Sequence, residues 1–240
     1  MKRKRILAMI LAVASCLSLA FSASAANTPN RKATDFRDFD CTAWYAEAVS
    51  AAVDNGLLYG KSSTIIDPNG DMTRAEMAAI INRSFGCYKT ADISQYNDVS
   101  KSKWYYKDVA LAVQMGTYNG RSASAMAPDA PISRQEAMTV VARALELDYD
   151  SYSKTDLSAF SDRSEISNWA LPYVRAMVGA DYIHSRGKLL APLDNITRAE
   201  FAQILQYHWH LHCVQGNLRQ RHQGQRSDSH RRCDAPEHDR

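Results

Sequence analysis

Residues 194–205 read DNITRAEFAQIL, and the first half of that stretch decides how the whole chain is organised. Thr197 with Glu200 three positions later is a capping box, the side-chain pairing that opens an α-helix. Between them stands Arg198, a cation in the first helical turn, where the positive end of the helix dipole disfavours it. The same construction recurs as MTRAE at 72–76 and ISRQE at 132–136. A locally unfavourable choice made three times marks an internal repeat whose arginine has a partner.

Working outward from these motifs, further landmarks fall in a fixed order. An aromatic-x-Asp stands at Phe36/Asp38, Tyr96/Asp98 and Phe160/Asp162. A tryptophan follows at Trp44, Trp104 and Trp169, a proline at Pro68, Pro128 and Pro192, and the capping hydroxyl at Thr73, Ser133 and Thr197. The offset is 60 residues from first to second copy and 64 or 65 from second to third, which sets repeats at 34–88, 94–147 and 158–209.

Each repeat reads as helix, loop, helix. Val49/Val53, Val109/Val113 and Val174/Val178 stand four apart and share one helical face. The second helix carries Met77, Ile80, Ile81 and Phe85, matched by Met138, Val141 and Leu145 and by Phe201, Ile204, Leu205 and Trp209. The segments between are rich in Gly, Ser, Asn and Pro. A two-helix unit cannot bury its own apolar stripes, whereas three copies around a shared axis can.

The flanks have other compositions. Residues 1–25 read as a secretory signal: Lys2, Arg3, Lys4 and Arg5, an apolar run, then Ala23-Ser24-Ala25 before the cleavage point. Losing those four basic residues takes the formal net charge from +3 to −1, which removes the main support for nucleic-acid binding. No later stretch is long and apolar enough to span a membrane. A Cys41–Cys87 bridge within the first repeat is open to an exported chain. Residues 210–240, with six Arg, five His and four Gln, lack the apolar side chains for a core and read as a disordered tail.

On these residues the chain resembles S-layer homology domains, whose pattern is an aromatic-x-Asp start, a Trp-containing first helix, a glycine-punctuated loop, a proline and a TRAE-type helix start. The resemblance implies an all-α fold in which three helix-loop-helix repeats form a pseudo-threefold spindle around a central three-helix bundle. It also implies a binding activity. Family members hold proteins to bacterial cell-wall polysaccharide, often a pyruvylated secondary polymer, in grooves between repeats.

Under that likeness Arg74, Arg134 and Arg198 are candidates to grip a carboxylate, each with a planar fork set at a helix N-terminus. The internal alternative pairs them with the protein's own acids, Asp38, Asp98 and Asp162 among them. By resemblance those aspartates and Trp44, Trp104 and Trp169 are groove residues, although each tryptophan also suits a core and each aspartate a helix cap. Gly60 and Gly120 are placed to let backbone approach a ligand. Glu76, Glu136 and Glu200 read as capping-box residues. The third repeat has Asp181 where the others have Gly56 and Gly116, and roughly Ser185 for Gly60 and Gly120, so unequal grooves are expected.

No cofactor is implied. DPNGD at 67–71 begins like a calcium loop but has Met72 and Ala78 where that loop needs Gly and Glu. Six of the seven histidines lie at or beyond His208, and no nucleophile-base constellation can be assembled. A wall-active glycoside hydrolase is the enzymatic alternative, and it would need an asymmetric carboxyl pair that equivalent repeat acids do not offer. A surface protein-protein interaction module is the other. Self-association is not legible.

Overall fold

The computed structural model describes residues 31–86, 89–183 and 185–207. The leader, the tail, Cys87 and Trp209 lie outside the described residues. Within them the chain forms α1 (Ala46–Asp54), α2 (Arg74–Phe85), α3 (Tyr106–Gln114), α4 (Arg134–Ala144), α5 (Leu171–Gly179) and α6 over 198–207. No strand occurs among the described residues, only isolated antiparallel bridges. The fold is all-α, as the helical periodicities predict.

The first helix of each repeat is short and rich in small residues. Val49, Val53, Val109 and Val174 are buried, and Val113 and Val178 pack partly against the core. Each of these helices ends the same way, with a left-handed residue at Gly56 (φ 65°), Gly116 (φ 72°) or Asp181 (φ 60°). The next residue then donates back: Leu57 to Ala52, Thr117 to Ala112 and Tyr182 to Met177. Asp181 therefore keeps the turn that glycine makes elsewhere, because a short polar side chain tolerates this conformation.

The second helices open on the predicted capping boxes, at Thr73/Glu76 and Ser133/Glu136. At the third, Thr197 N–H donates to Glu200 at 2.9 Å and Glu200 N–H to Thr197 Oγ1 at 3.2 Å. Met77, Ile80, Ile81, Met138, Val141, Phe201, Ile204 and Leu205 are all buried. Helix α2 packs on α3 and α4, and α4 on α5, so each contact joins different repeats.

The repeats close on one another through the residue before each cap. Met72 N–H donates to Ile196 C=O (3.0 Å), Ile196 N–H to Ile132 C=O (3.1 Å) and Ile132 N–H to Met72 C=O (3.0 Å). The three side chains are at most 1% exposed, so the triangle of bonds has an apolar centre. Such bonds contribute about 1 kcal/mol each, and a break would leave buried groups unpaired.

The same closure completes the helix starts. Arg74 and Ala75 donate their N–H groups to Ala130 and Pro128, Arg134 and Gln135 to Asp194 and Pro192, and Arg198 and Ala199 to Gly70 and Pro68. The N-terminal donors that these helix starts would otherwise offer an anion are thus taken within the protein. The first two go to another repeat's proline turn and the third to the capping hydroxyl.

Candidate functional site

The residue before each proline sits in the left-handed region without being glycine: Asp67 (φ 55°), Ala127 (φ 53°) and Ala191 (φ 49°). That conformation costs about 1–2 kcal/mol for a residue with a Cβ. The aspartate of each aromatic-x-Asp holds it in place. Asp38 accepts from Ile66 and Asp67 N–H (2.9 and 2.8 Å), Asp98 from Met126 and Ala127 (2.9 and 2.7 Å), and Asp162 from Leu190 and Ala191 (3.0 and 2.7 Å). None of the three caps the first helix. Burial pushes the Asp38 and Asp98 carboxyls up, but the paired amide donors outweigh it and hold both below the usual aspartate range.

Each turn so fixed aims a carbonyl at an arginine from another repeat. Arg198 Nε donates to Ile66 C=O (2.9 Å), Arg74 Nε to Met126 C=O (2.9 Å) and Arg134 Nε to Leu190 C=O (2.8 Å). The guanidinium then meets a capping-box glutamate, not the aspartates weighed from the sequence. Arg74 pairs with Glu136 (3.1 Å), Arg134 with Glu200 (3.1 Å) and Arg198 with Glu76 (3.5 Å). Arg198 also donates to Tyr59 C=O and Arg74 to Asn119 C=O (2.9 Å). All three arginines are 2–4% exposed. The cation that looked misplaced in a helix turn is an inter-repeat fastener.

Each glutamate receives a second cation from its own repeat's loop. Lys61 lies 2.6 Å from Glu76, Arg121 3.1 Å from Glu136 and Arg186 2.8 Å from Glu200. Burial pushes these carboxyls up, but the loop cation, the capping amide and the distant arginine together hold all three below the ordinary glutamate range.

Above these fasteners lie two open grooves. The first, about 300 Å³, takes Tyr59, Gly60 and Lys61 from the first loop, Arg83 from α2, Trp104 from the second repeat and Arg198 from the third. The second, about 350 Å³, takes Gly120 and Arg121, Arg143 from α4, Trp169 from the third repeat and Arg74 from the first. Every repeat therefore contributes to each groove. Trp104 and Trp169 are 61% and 52% exposed and Trp44 is 59% exposed, so the core reading of the tryptophans is overturned.

Gly60 and Gly120 also have a role within the fold. A Cβ there would stand 2.4 Å from the Phe36 ring or 2.5 Å from the Tyr96 ring, and as close to Ser62 or Ser122 C=O. The aromatic of the aromatic-x-Asp thus packs on the glycine of its own repeat, and the two landmarks form one device.

Sequence reading missed the cations Lys61, Arg121, Arg83 and Arg143. Their signal was present: Lys61 and Arg121 directly follow the aligned glycines, and Arg83 and Arg143 each stand nine residues after the TRAE-type arginine. The third repeat has Tyr207 at the latter position. There Arg186 pairs with Glu200 and also with Asp194 at 2.9 Å. The third repeat's cations are therefore more fully neutralised.

The chain matches the S-layer homology domain family over residues 35–78, 95–138 and 159–202. It belongs to that family. Among curated proteins, it is 33% identical over 186 residues to the surface-layer 125 kDa protein of Lysinibacillus sphaericus, covering 75% of this chain and 15% of that protein. It is 28% identical to the amylopullulanase of Thermoanaerobacterium thermosulfurigenes (68% of this chain, 9% of that protein) and 23% identical to the S-layer protein sap of Bacillus anthracis (71% and 20%). The chain thus spans a fifth or less of the length of these relatives. S-layer homology domains are cell-wall anchoring modules, and this membership places the chain at the bacterial cell surface. Among the described residues no helix is long and apolar enough to cross a membrane, and no cluster of His, Cys, Asp and Glu could hold a metal ion.

Proposed function

We propose that this chain is a non-catalytic module that binds a pyruvylated secondary cell-wall polymer in the grooves between its repeats. The observation that carries the reading is the composition of the two grooves. Each sets a half-exposed tryptophan beside three cations and a single glutamate. A positive surplus beside an aromatic face suits a sugar that bears a carboxylate. Trp104 and Trp169 supply the face, Lys61, Arg83, Arg121 and Arg143 the outer charge, and Arg74 and Arg198 the groove floor. The backbone at Gly60 and Gly120 lines the approach. Asp38, Asp98 and Asp162 act through the turns they hold, and by repeat equivalence Arg134 and Trp44 belong to a third, weaker position.

The carboxyls support binding over hydrolysis. A glycoside hydrolase needs one carboxyl raised toward neutrality to act as acid, whereas Glu76 and Glu136 at the grooves, and Glu200 at the equivalent position of the third repeat, are all lowered.

The test is co-sedimentation with purified walls of a Gram-positive bacterium, before and after chemical removal of pyruvate. Retention on intact walls and loss on treated walls is expected. Equal retention would overturn the ketal as ligand, and no retention on either would overturn anchoring.

A further inference from the structure

Five large aromatics are prominently exposed among the described residues, and all but one belong to the repeats' tryptophan positions or to a groove. Trp104, Trp169 and Tyr59 line the grooves and Trp44 is the repeat equivalent of the two tryptophans, but Tyr149, 46% exposed, lines neither groove and falls between repeats. It sits where the repeat spacing changes most. From Arg74 to Tyr96 is 22 residues, whereas from Arg134 to Phe160 is 26, so four extra residues fall between α4 and the third repeat.

The extra segment is built onto the fold. Successive turns run from Ser151 N–H to Asp148 C=O, from Ser153 to Asp150 and from Thr155 to Tyr152. Arg175 on α5 donates to Ser153 C=O at 2.8 Å. Gly179, also on α5, leaves the space that Tyr152 and Thr155 occupy, for a Cβ there would stand 2.5 Å from each. With the segment so seated, the Tyr149 ring lies 5.5 Å from the Tyr173 ring at 60°. Tyr173 in turn lies under the Arg143 guanidinium, 4.8 Å from the ring centre. Arg143 is a wall of the second groove, and Tyr173, in the first turn of α5, stands four residues after its Trp169.

We infer that Tyr149 and Tyr173 form a second sugar subsite that extends the second groove, with Arg143 between the two subsites. The inference rests on the wall-polymer reading above. A ring on Trp169 would bring its carboxylate to the cations of the groove, and the next sugar of the same chain would lie on the tyrosine pair. The first groove has no such extension, because Asp108 occupies the repeat position of Tyr173. The second groove therefore favours longer polymer fragments.

The experiment compares the full chain with Tyr149→Ala and Tyr149→Phe by calorimetry against two probes: a monosaccharide carrying one pyruvate ketal, and size-fractionated glycan released from purified walls. Tyr149→Ala should bind the glycan about threefold to tenfold more weakly, bind the monosaccharide like the parent and melt like the parent. Tyr149→Phe should match the parent on both. Parent-like glycan binding by Tyr149→Ala, or equal weakening on both probes, overturns the subsite; if Trp169→Ala still loses binding in that case, the groove reading stands. Should the parent bind neither probe, both fall.

Discussion

Arg198 Nη1 lies 3.5 Å from Glu76 Oε1, joining residues 122 positions apart and fastening the last repeat's helix start to the first repeat's. The same pairing recurs between Arg74 and Glu136 and between Arg134 and Glu200, so the three ion pairs run around the molecule in one sense. Because both partners open helices, each pair couples two helix starts at once.

Arg198→Ala should destabilise the fold by about 2–4 kcal/mol, since it strips the Ile66 and Tyr59 carbonyls and Glu76 of a buried donor. Lysine should recover only part of this, as it carries charge without the fork. Chemical denaturation of the two variants measures both effects. A variant as stable as the parent would show that the fastener contributes nothing.

Stability should fall on the acid side through these glutamates. A carboxyl lowered in the folded state favours folding at pH above its unfolded value, about 4.3, and that contribution is lost as pH drops through the folded value. Glu76, Glu136 and Glu200 are all lowered, so the denaturation midpoint should be level near neutrality and decline below about pH 4.5. Glu136→Gln should lower the plateau and flatten the decline. An unchanged acid limb in that variant would assign it to other carboxyls.

The strained turns make opposite predictions for adjacent residues. Ala127→Gly should stabilise by about 0.5–1 kcal/mol, because glycine adopts φ 53° freely. Asp98→Ala should destabilise by about 1–3 kcal/mol by leaving the Met126 and Ala127 amides without their acceptor. Thermal melts of the pair decide whether the aspartate restrains the turn.

Trp104→Ala and Trp169→Ala should each weaken wall binding by about 1–3 kcal/mol and leave stability within about 0.5 kcal/mol, given their exposure. Trp44→Ala should do less, because Tyr207 replaces the outer arginine and Arg186 is engaged by two acids. Arg143→Tyr, which copies the third repeat, should bring the second groove down toward that level. Equal losses for all three tryptophans would overturn the ranking.

The helices and capping boxes were legible because their signals are local: Thr73 and Glu76 are three residues apart, and the burial of Met77 and Ile81 follows the helical period. The partners of Arg74, Arg134 and Arg198 were not legible, because the spacing within a repeat fixes who caps a helix and says nothing of who reaches it from another repeat. Glu136 was read as a cap, and its second oxygen answers to Arg74 across 62 positions. The tryptophans misled for a related reason. Trp44 and Trp104 precede the first helical residue, so the periodicity that sorts buried from exposed positions does not extend to them. Asp181 was one ground for expecting unequal grooves, and it is a substitution the turn tolerates.

The triangle of bonds through Met72, Ile132 and Ile196 also fixes how many copies the architecture admits. In an open stack each unit offers one face forward and one back, so units can be gained or lost at the ends and the terminal ones need special sequences. Here each unit's donor is met by a unit that is itself met, and the third bond returns to the first. A fourth copy would find no vacant acceptor, and a pair would leave one donor and one acceptor facing an apolar centre. Copy number is thus set by geometry at a single layer of backbone, and three is the count at which it closes.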